Sequence, residues 1–205
     1  MDRRTTIKWV LAAGAAWPLV KADGARAAAP SPARGYGTDP DLLKTYRPGE
    51  LWPLTLTTQQ RRLAAILADI IIPADERSPS ASAVGVVEFI DEWVSAPYPN
   101  HQRDKTTVVE GFAWVDAEAA RRSGREFADL GATDQHAICA AICDESNAAA
   151  ELRAAARFFS RYRDLTAGAF YSTPVGRKDL NFIGNVPLAR FDGPPAALLK
   201  SLGLL

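Results

Sequence analysis

From Thr57 onward the chain alternates apolar and polar residues with a helical period. In "TTQQRRLAAILADII", Thr57 and Gln60 stand in capping-box spacing, so each can satisfy a backbone N–H at a helix start. Leu63, Ile66, Leu67, Ile70 and Ile71 then return every three or four positions and form one apolar face. Pro73 ends the run, because proline lacks the N–H donor and crowds the preceding turn. "VGVVEFIDEWVSA" repeats the design, with Val86, Phe89, Ile90, Trp93 and Val94 on one side and Pro97 beyond. A third helix is predicted from Asp104 to Ser123, carrying Val108, Phe112, Val115 and Ala119 before Gly124. A fourth starts at Thr133 and presents Ile138 and Ile142. The fifth and longest runs from Ala148 to Tyr171, with Leu152, Phe159, Tyr162 and Phe170 facing a common core. Five amphipathic helices without an alternating strand predict an all-α bundle over residues 55–172.

The helical body is flanked by two arms of different texture. Residues 28–54 are dense in Pro and Gly and lack sustained periodicity, which marks a linker or arm. Its Tyr36, Leu42, Leu43, Tyr46 and Trp52 are too apolar for a purely solvated tail, so part of it should lie against a surface. Residues 173–205 hold Pro174, Pro187, Pro194 and Pro195 among Phe182, Ile183, Val186, Leu188 and Phe191. Proline forbids a long helix there and the apolar side chains disfavour free solution. An extended arm packed on the protein's own helices, on another chain, or on both, fits.

The first 27 residues follow a different grammar. Arg3 and Arg4, then Ile7 and Lys8, precede a short apolar stretch from Trp9 to Val20, and Ala25-Arg26-Ala27 supplies an A-x-A cleavage site. A spanning helix needs about 20 predominantly apolar residues, so the stretch is a poor membrane anchor. The pattern is that of a twin-arginine export signal for cargo that folds before leaving the cytoplasm, with Thr6 in place of the usual aromatic. It implies the twin-arginine translocase as a partner and the periplasm as destination. An ordinary Sec signal and an uncleaved anchor are the simpler readings.

Charge narrows the functions. The chain balances 24 basic against 24 acidic residues. Removing residues 1–27 takes away Arg3, Arg4, Lys8, Lys21 and Arg26 but only Asp2 and Asp23, leaving 19 basic against 22 acidic groups. A mature chain at −3 lacks the concentrated positive surface that nucleic-acid binding needs.

Catalytic signatures are missing from the sequence. It has no dinucleotide fingerprint, phosphate loop, G-x-S-x-G elbow, haem attachment motif or Glu-x-x-His pair. One constellation remains: His136, Cys139 and Cys143 fall at i, i+3 and i+7, on one helical stripe. Imidazole and thiolate are good zinc or copper ligands, so a metal or redox site is one reading. Structural burial of the cysteines is another, since free cysteine behaves as a small hydrophobe. A disulfide within the helix is a third, strained by geometry. Asp75 and Glu76 fit turn capping as well as acid–base chemistry, and Asp91 and Glu92 read as a solvated helix face. "RFFSRYRD" sets Arg157 and Arg161 beside Phe158, a mixture enriched at protein interfaces but equally that of a solvated helix. Arg157, Phe158 and Arg161, with Tyr171, Phe182 and Phe191, are therefore the candidate partner-contact residues.

Several segments together resemble the gluconate 2-dehydrogenase subunit 3 family. They are "LTTQQRRLAAILADIIIPADERSPSASAVGVVEFIDEW", "GFAWVDAEAARRSGREFADL" and "FFSRYRDLTAGAFYSTPVGRKDLNFIGNVP", with the Ile72-Pro73-Ala74-Asp75 turn and the Phe89-Ile90-Asp91 step the most telling. The resemblance implies a small subunit beside a large FAD-binding flavoprotein of the glucose–methanol–choline type. Family substrates include gluconate, fructose, glucose and the C3 hydroxyl of glycosides. It further implies that electrons leave the FAD, often through an iron–sulfur centre, for a cytochrome c subunit carrying haem or for another acceptor. The resemblance assigns no catalytic residue and no cofactor to this subunit. It implies instead a non-catalytic chain that supports the flavoprotein and supplies its export address. A redox subunit built on His136, Cys139 and Cys143, and an independent periplasmic binding module using a cleft between helices and arms, are the alternatives.

Overall fold

The capping box forms as its spacing predicts. Thr57 Oγ1 accepts from the Gln60 N–H at 3.2 Å, and Gln60 Oε1 accepts from the Thr57 N–H at 2.9 Å. The computed structural model describes residues 46–182, 184, 187, 189–190 and 193–205. The twin-arginine residues Arg3, Arg4, Ile7 and Lys8, most of the N-terminal arm, and Phe191 lie outside the described residues.

Seven α-helices occur among the described residues, with no strand: α1 (Thr58–Ile71), α2 (Val86–Ser95), α3 (Pro99–Ser123), α4 (Ala132–Ile142), α5 (Arg153–Ser172), α6 (Pro174–Asp179) and α7 (Ala196–Ser201). The first five are the five that hydrophobic periodicity predicts, and the all-α class holds. Two starts differ. α3 begins at Pro99, five residues before Asp104, because proline at the first helical position loses only an N–H that has no partner anyway. Residues Ala150–Leu152 form a 3-10 turn, and α5 proper starts at Arg153.

The C-terminal arm is a correction to the extended reading of 173–205, since it contains α6 and α7. Thr173 accepts from the Gly176 N–H at 3.0 Å and Pro174 takes the first helical position, so proline here starts a helix rather than forbidding one. Gly176 is required, because a Cβ there would lie 2.2 Å from the Phe170 carbonyl oxygen.

α5 is the central element, packed against α1, α2, α3 and α4. Phe158, Tyr162 and Phe112 form a triangle with ring centroids 5.6–5.9 Å apart. The Tyr162 hydroxyl donates to the Ala64 carbonyl of α1 at 2.7 Å. α3 and α5 approach closely at Gly111, where a Cβ would fall 2.0 Å from the Phe158 ring. Asp75 caps its turn, accepting from the Arg77 and Ser78 N–H groups at 2.8 Å each, which lowers its pKa.

A strap of chain, residues 46–56, runs along α2. Gly49 N–H donates to Glu92 Oε2 at 2.7 Å, and Trp52 Nε1–H donates to the Glu92 carbonyl at 3.0 Å. The described part of the N-terminal arm therefore lies on a surface, as its aromatic content predicts. The strap ends at Asp91, which is 0% exposed rather than on a solvated face. Asp91 Oδ1 accepts from the Thr55 N–H at 3.2 Å, the Leu56 N–H at 3.1 Å and the Ser95 hydroxyl at 3.2 Å. Its Oδ2 takes the Arg61 guanidinium of α1 at 2.8 Å. Buried backbone N–H groups need acceptors, and a strap without a neighbouring strand finds them on a side chain.

Asp91→Ala would remove the acceptor of the Leu56 N–H and the buried partner of Arg61, while the Thr55 N–H keeps the Ser95 hydroxyl at 2.9 Å. Because Arg61 keeps contact with solvent and with Glu88, the expected loss is about 2–4 kcal/mol of folding stability. Urea unfolding of the variant measures it, and an unchanged midpoint would contradict the role given to Asp91.

Candidate partner-binding surface

α2 carries two stripes rather than one. Val86, Val87, Ile90 and Val94 face the core and are buried. Phe89 and Trp93, one helical turn apart, occupy the shoulder beside them, and Phe89 remains 39% exposed. Their rings stack with centroids 5.9 Å apart. Trp93 stacks in turn on His101 of α3 at 4.0 Å and 13°, and His101 meets Tyr98, which meets Trp52 of the strap edge-on at 6.1 Å.

Polar contacts fix this aromatic row. Trp93 Nε1–H donates to Asp104 Oδ2 at 2.8 Å. Arg161 of α5 grips the same carboxylate with two donors, Nε to Oδ1 at 2.7 Å and Nη2 to Oδ2 at 2.6 Å. The His101 Nδ1 lies 3.0 Å from the Trp93 carbonyl, which can only accept, so Nδ1 carries the proton. Burial of Asp104 opposes its ionisation, but the hydrogen bonds from Arg161 and Trp93 outweigh it and hold the carboxyl below its ordinary range.

Between the strap and α2, a cleft of about 470 Å³ opens at the two ends of this row, Phe89 and Trp52, and is lined also by Arg47, Leu51, Glu88 and Glu92 among others. A hydrophobic floor with a few charged groups at its rim is the ordinary construction of a recognition site.

The residues singled out in the sequence are dispersed. Phe158 is a correction: at 1% exposure it belongs to the core, where Gly111 packs directly against its ring. Arg161 is half-buried and committed to Asp104, so it acts inside the fold. Arg157 is exposed and lies 3.7 Å from Glu145. Tyr171 is half-buried with its ring edge-on to Phe170, while Phe182 is 58% exposed on the C-terminal arm. His136, Cys139 and Cys143 do not assemble. α4 ends at Ile142 with Cys143 as its cap, still in helical backbone conformation, and the described residues contain no metal-holding group of three or more His, Cys, Asp or Glu. Both cysteines are free, Cys139 buried and Cys143 exposed. Burial, then the neighbouring Cys143, push the Cys139 thiol up to about 12, so it stays protonated.

Sequence reading missed Phe89, Trp93, Trp52 and Asp104 as one assembly. The available signal was width: the apolar stripe of α2, from Val86 to Val94, is broader than one packing face needs, and Glu88 and Glu92 flank its outer half.

The family model described as gluconate 2-dehydrogenase subunit 3 matches residues 58–193, from the start of α1 to the arm beyond α6. No match to the chain is found among curated proteins or among solved structures.

Two outcomes follow from this geometry. Maleimide should label one thiol per native chain at neutral pH, Cys143, and two after unfolding; two fast native sites would contradict the burial of Cys139. Asp104 and Glu118 are both depressed, Glu118 to about 2 by Arg121 foremost, against some burial, with Arg122 adding to the effect. A depressed folded pKa stabilises above the unfolded value and is lost as pH falls through the folded one. Stability should therefore drop between about pH 4, the unfolded carboxylate range, and about pH 2. Arg161→Met should make that drop shallower in acid titrations followed by circular dichroism, and an identical profile would contradict the Asp104 clamp.

Proposed function

The chain belongs to the gluconate 2-dehydrogenase subunit 3 family, and from that premise we propose that it is the non-catalytic small subunit of an exported, FAD-dependent sugar dehydrogenase. The family name makes it one of several subunits of a dehydrogenase complex. The finer reading is that a glucose–methanol–choline-type flavoprotein binds the FAD and oxidises a sugar, sugar acid or glucoside. This chain stabilises the flavoprotein, and the Arg3-Arg4 signal takes the folded pair through the twin-arginine translocase to the periplasm. FAD, and any iron–sulfur centre or haem c of the complex, sits on the other subunits.

The observation that carries this reading is the extent of the family match, which runs through the whole helical body. Exposed apolar side chains support it: Phe89 on α2, Leu180 and Phe182 after α6, and Leu198 and Leu202 around α7 are large hydrophobics left for another surface. A chain whose core is closed by its own five main helices has no folding reason to leave these outside.

Producing the flavoprotein with and without this chain, and with Arg3-Arg4 changed to Lys-Lys, tests the proposal. Flavin content and periplasmic activity should fall sharply without the chain, and the Lys-Lys variant should hold the complex in the cytoplasm. Equal yield, flavin loading and delivery in all three cases would refute the escort role.

A further inference from the structure

We propose that the cleft between the strap and α2 is the docking pocket for the flavoprotein subunit. It receives one aromatic or branched apolar anchor carried beside a lysine or arginine. The inference rests on the proposed role as a small subunit and says where, and against what chemistry, the two chains meet.

Three observations carry it. The first is the exposed ring. Phe89 sits on a well-packed helix whose neighbouring turns bury Val86, Ile90 and Val94, yet it keeps 39% of its surface in solvent at the mouth of the cleft. Aromatic side chains in such settings dominate interface energetics when a polar ring around them excludes water.

The second is rigidity. Phe89 rests on Trp93, and Trp93 is held by the His101 stack and by Asp104, which Arg161 grips from α5. On the opposite wall Trp52 is fixed by its bond to the Glu92 carbonyl. A platform already ordered in the free chain loses little conformational freedom on association. Leu198, Leu202, Leu204 and Leu205 are also exposed, but among the described residues no aromatic stack or side-chain ion pair braces them.

The third is charge. α2 contributes Glu88 and Glu92 to the cleft and has no lysine or arginine of its own. Arg61, the cation nearest Glu88, is shared with the buried Asp91. Among the described lining residues Arg47 is the sole cation, with Glu50 on its own turn accepting from the Arg47 N–H at 3.0 Å. An acidic rim over an apolar floor complements a basic segment with an apolar anchor.

Binding of the full chain to the flavoprotein subunit, measured by biolayer interferometry at low and high salt, tests this. Phe89→Ala should raise Kd at least tenfold while leaving the circular dichroism melt within a few degrees of wild type. Phe182→Ala, on the separate C-terminal arm, should change Kd less. Arg47→Glu makes the rim more acidic, so it should speed association and tighten binding at low salt. Wild-type affinity for Phe89→Ala overturns the docking pocket, and weaker binding by Arg47→Glu overturns the basic partner segment. Both results leave the small-subunit role standing. Failure of the wild-type chain to bind the flavoprotein at all sinks that role and this inference together.

Discussion

A single buried carboxylate ties together three parts of the chain that no hydrophobic contact alone would register. Asp91 accepts from two strap N–H groups, from Ser95 one turn further along its own helix, and from Arg61 on α1. Both carboxylate oxygens have donors, three on Oδ1 and Arg61 on Oδ2, so the charge is buried without being stranded. No strand lies beside the strap among the described residues, so its N–H groups on that side turn to side chains of α2: Asp91 for Thr55 and Leu56, and the Ser95 hydroxyl for Thr55 as well. Everything on the outer face of α2 inherits its geometry from this hub. Were the strap free, Trp52 would not form one wall of the cleft and Gly49 would not cover Glu92.

A second carboxylate repeats the logic on the other side of α2. Asp104 joins α3 to α5 through Arg161 and fixes Trp93 of α2. Between them, the two carboxylates set the orientation of α2 against four neighbouring segments, while Val86, Ile90 and Val94 supply the burial that holds it down. Hydrophobic packing fixes distance more tightly than rotation, and directional hydrogen bonds fix the rest. The result is a helix with one face sealed into the core and an aromatic shoulder presented outward at a defined angle.

Much of the body was legible because period, caps and breakers agree: Thr57 and Gln60 open α1, Gly124 closes α3 in a left-handed turn at φ 70°, and the centre of each apolar stripe is buried. Pro174 was misjudged and the helix start at Pro99 was missed, because the same residue ends a helix from inside and starts one from its first position. The candidate surface was poorly legible for a different reason. Asp91, Glu92 and Asp104 look like ordinary surface acids, and only the fold shows that one is sealed under the strap and another clamped by Arg161. Phe158 and Arg161 look like interface residues because aromatic–arginine mixtures are used at interfaces and in cores alike. Pairings 30 to 57 positions apart leave no trace in local pattern.

Hydrogen–deuterium exchange on this chain, alone and mixed with the proposed flavoprotein subunit, probes the central claim most directly. Protection on binding should concentrate in residues 46–52 and 85–93, the two walls of the cleft, with core amides of α5 unchanged. Protection confined to other helices, or equal exchange with and without the flavoprotein, would contradict it.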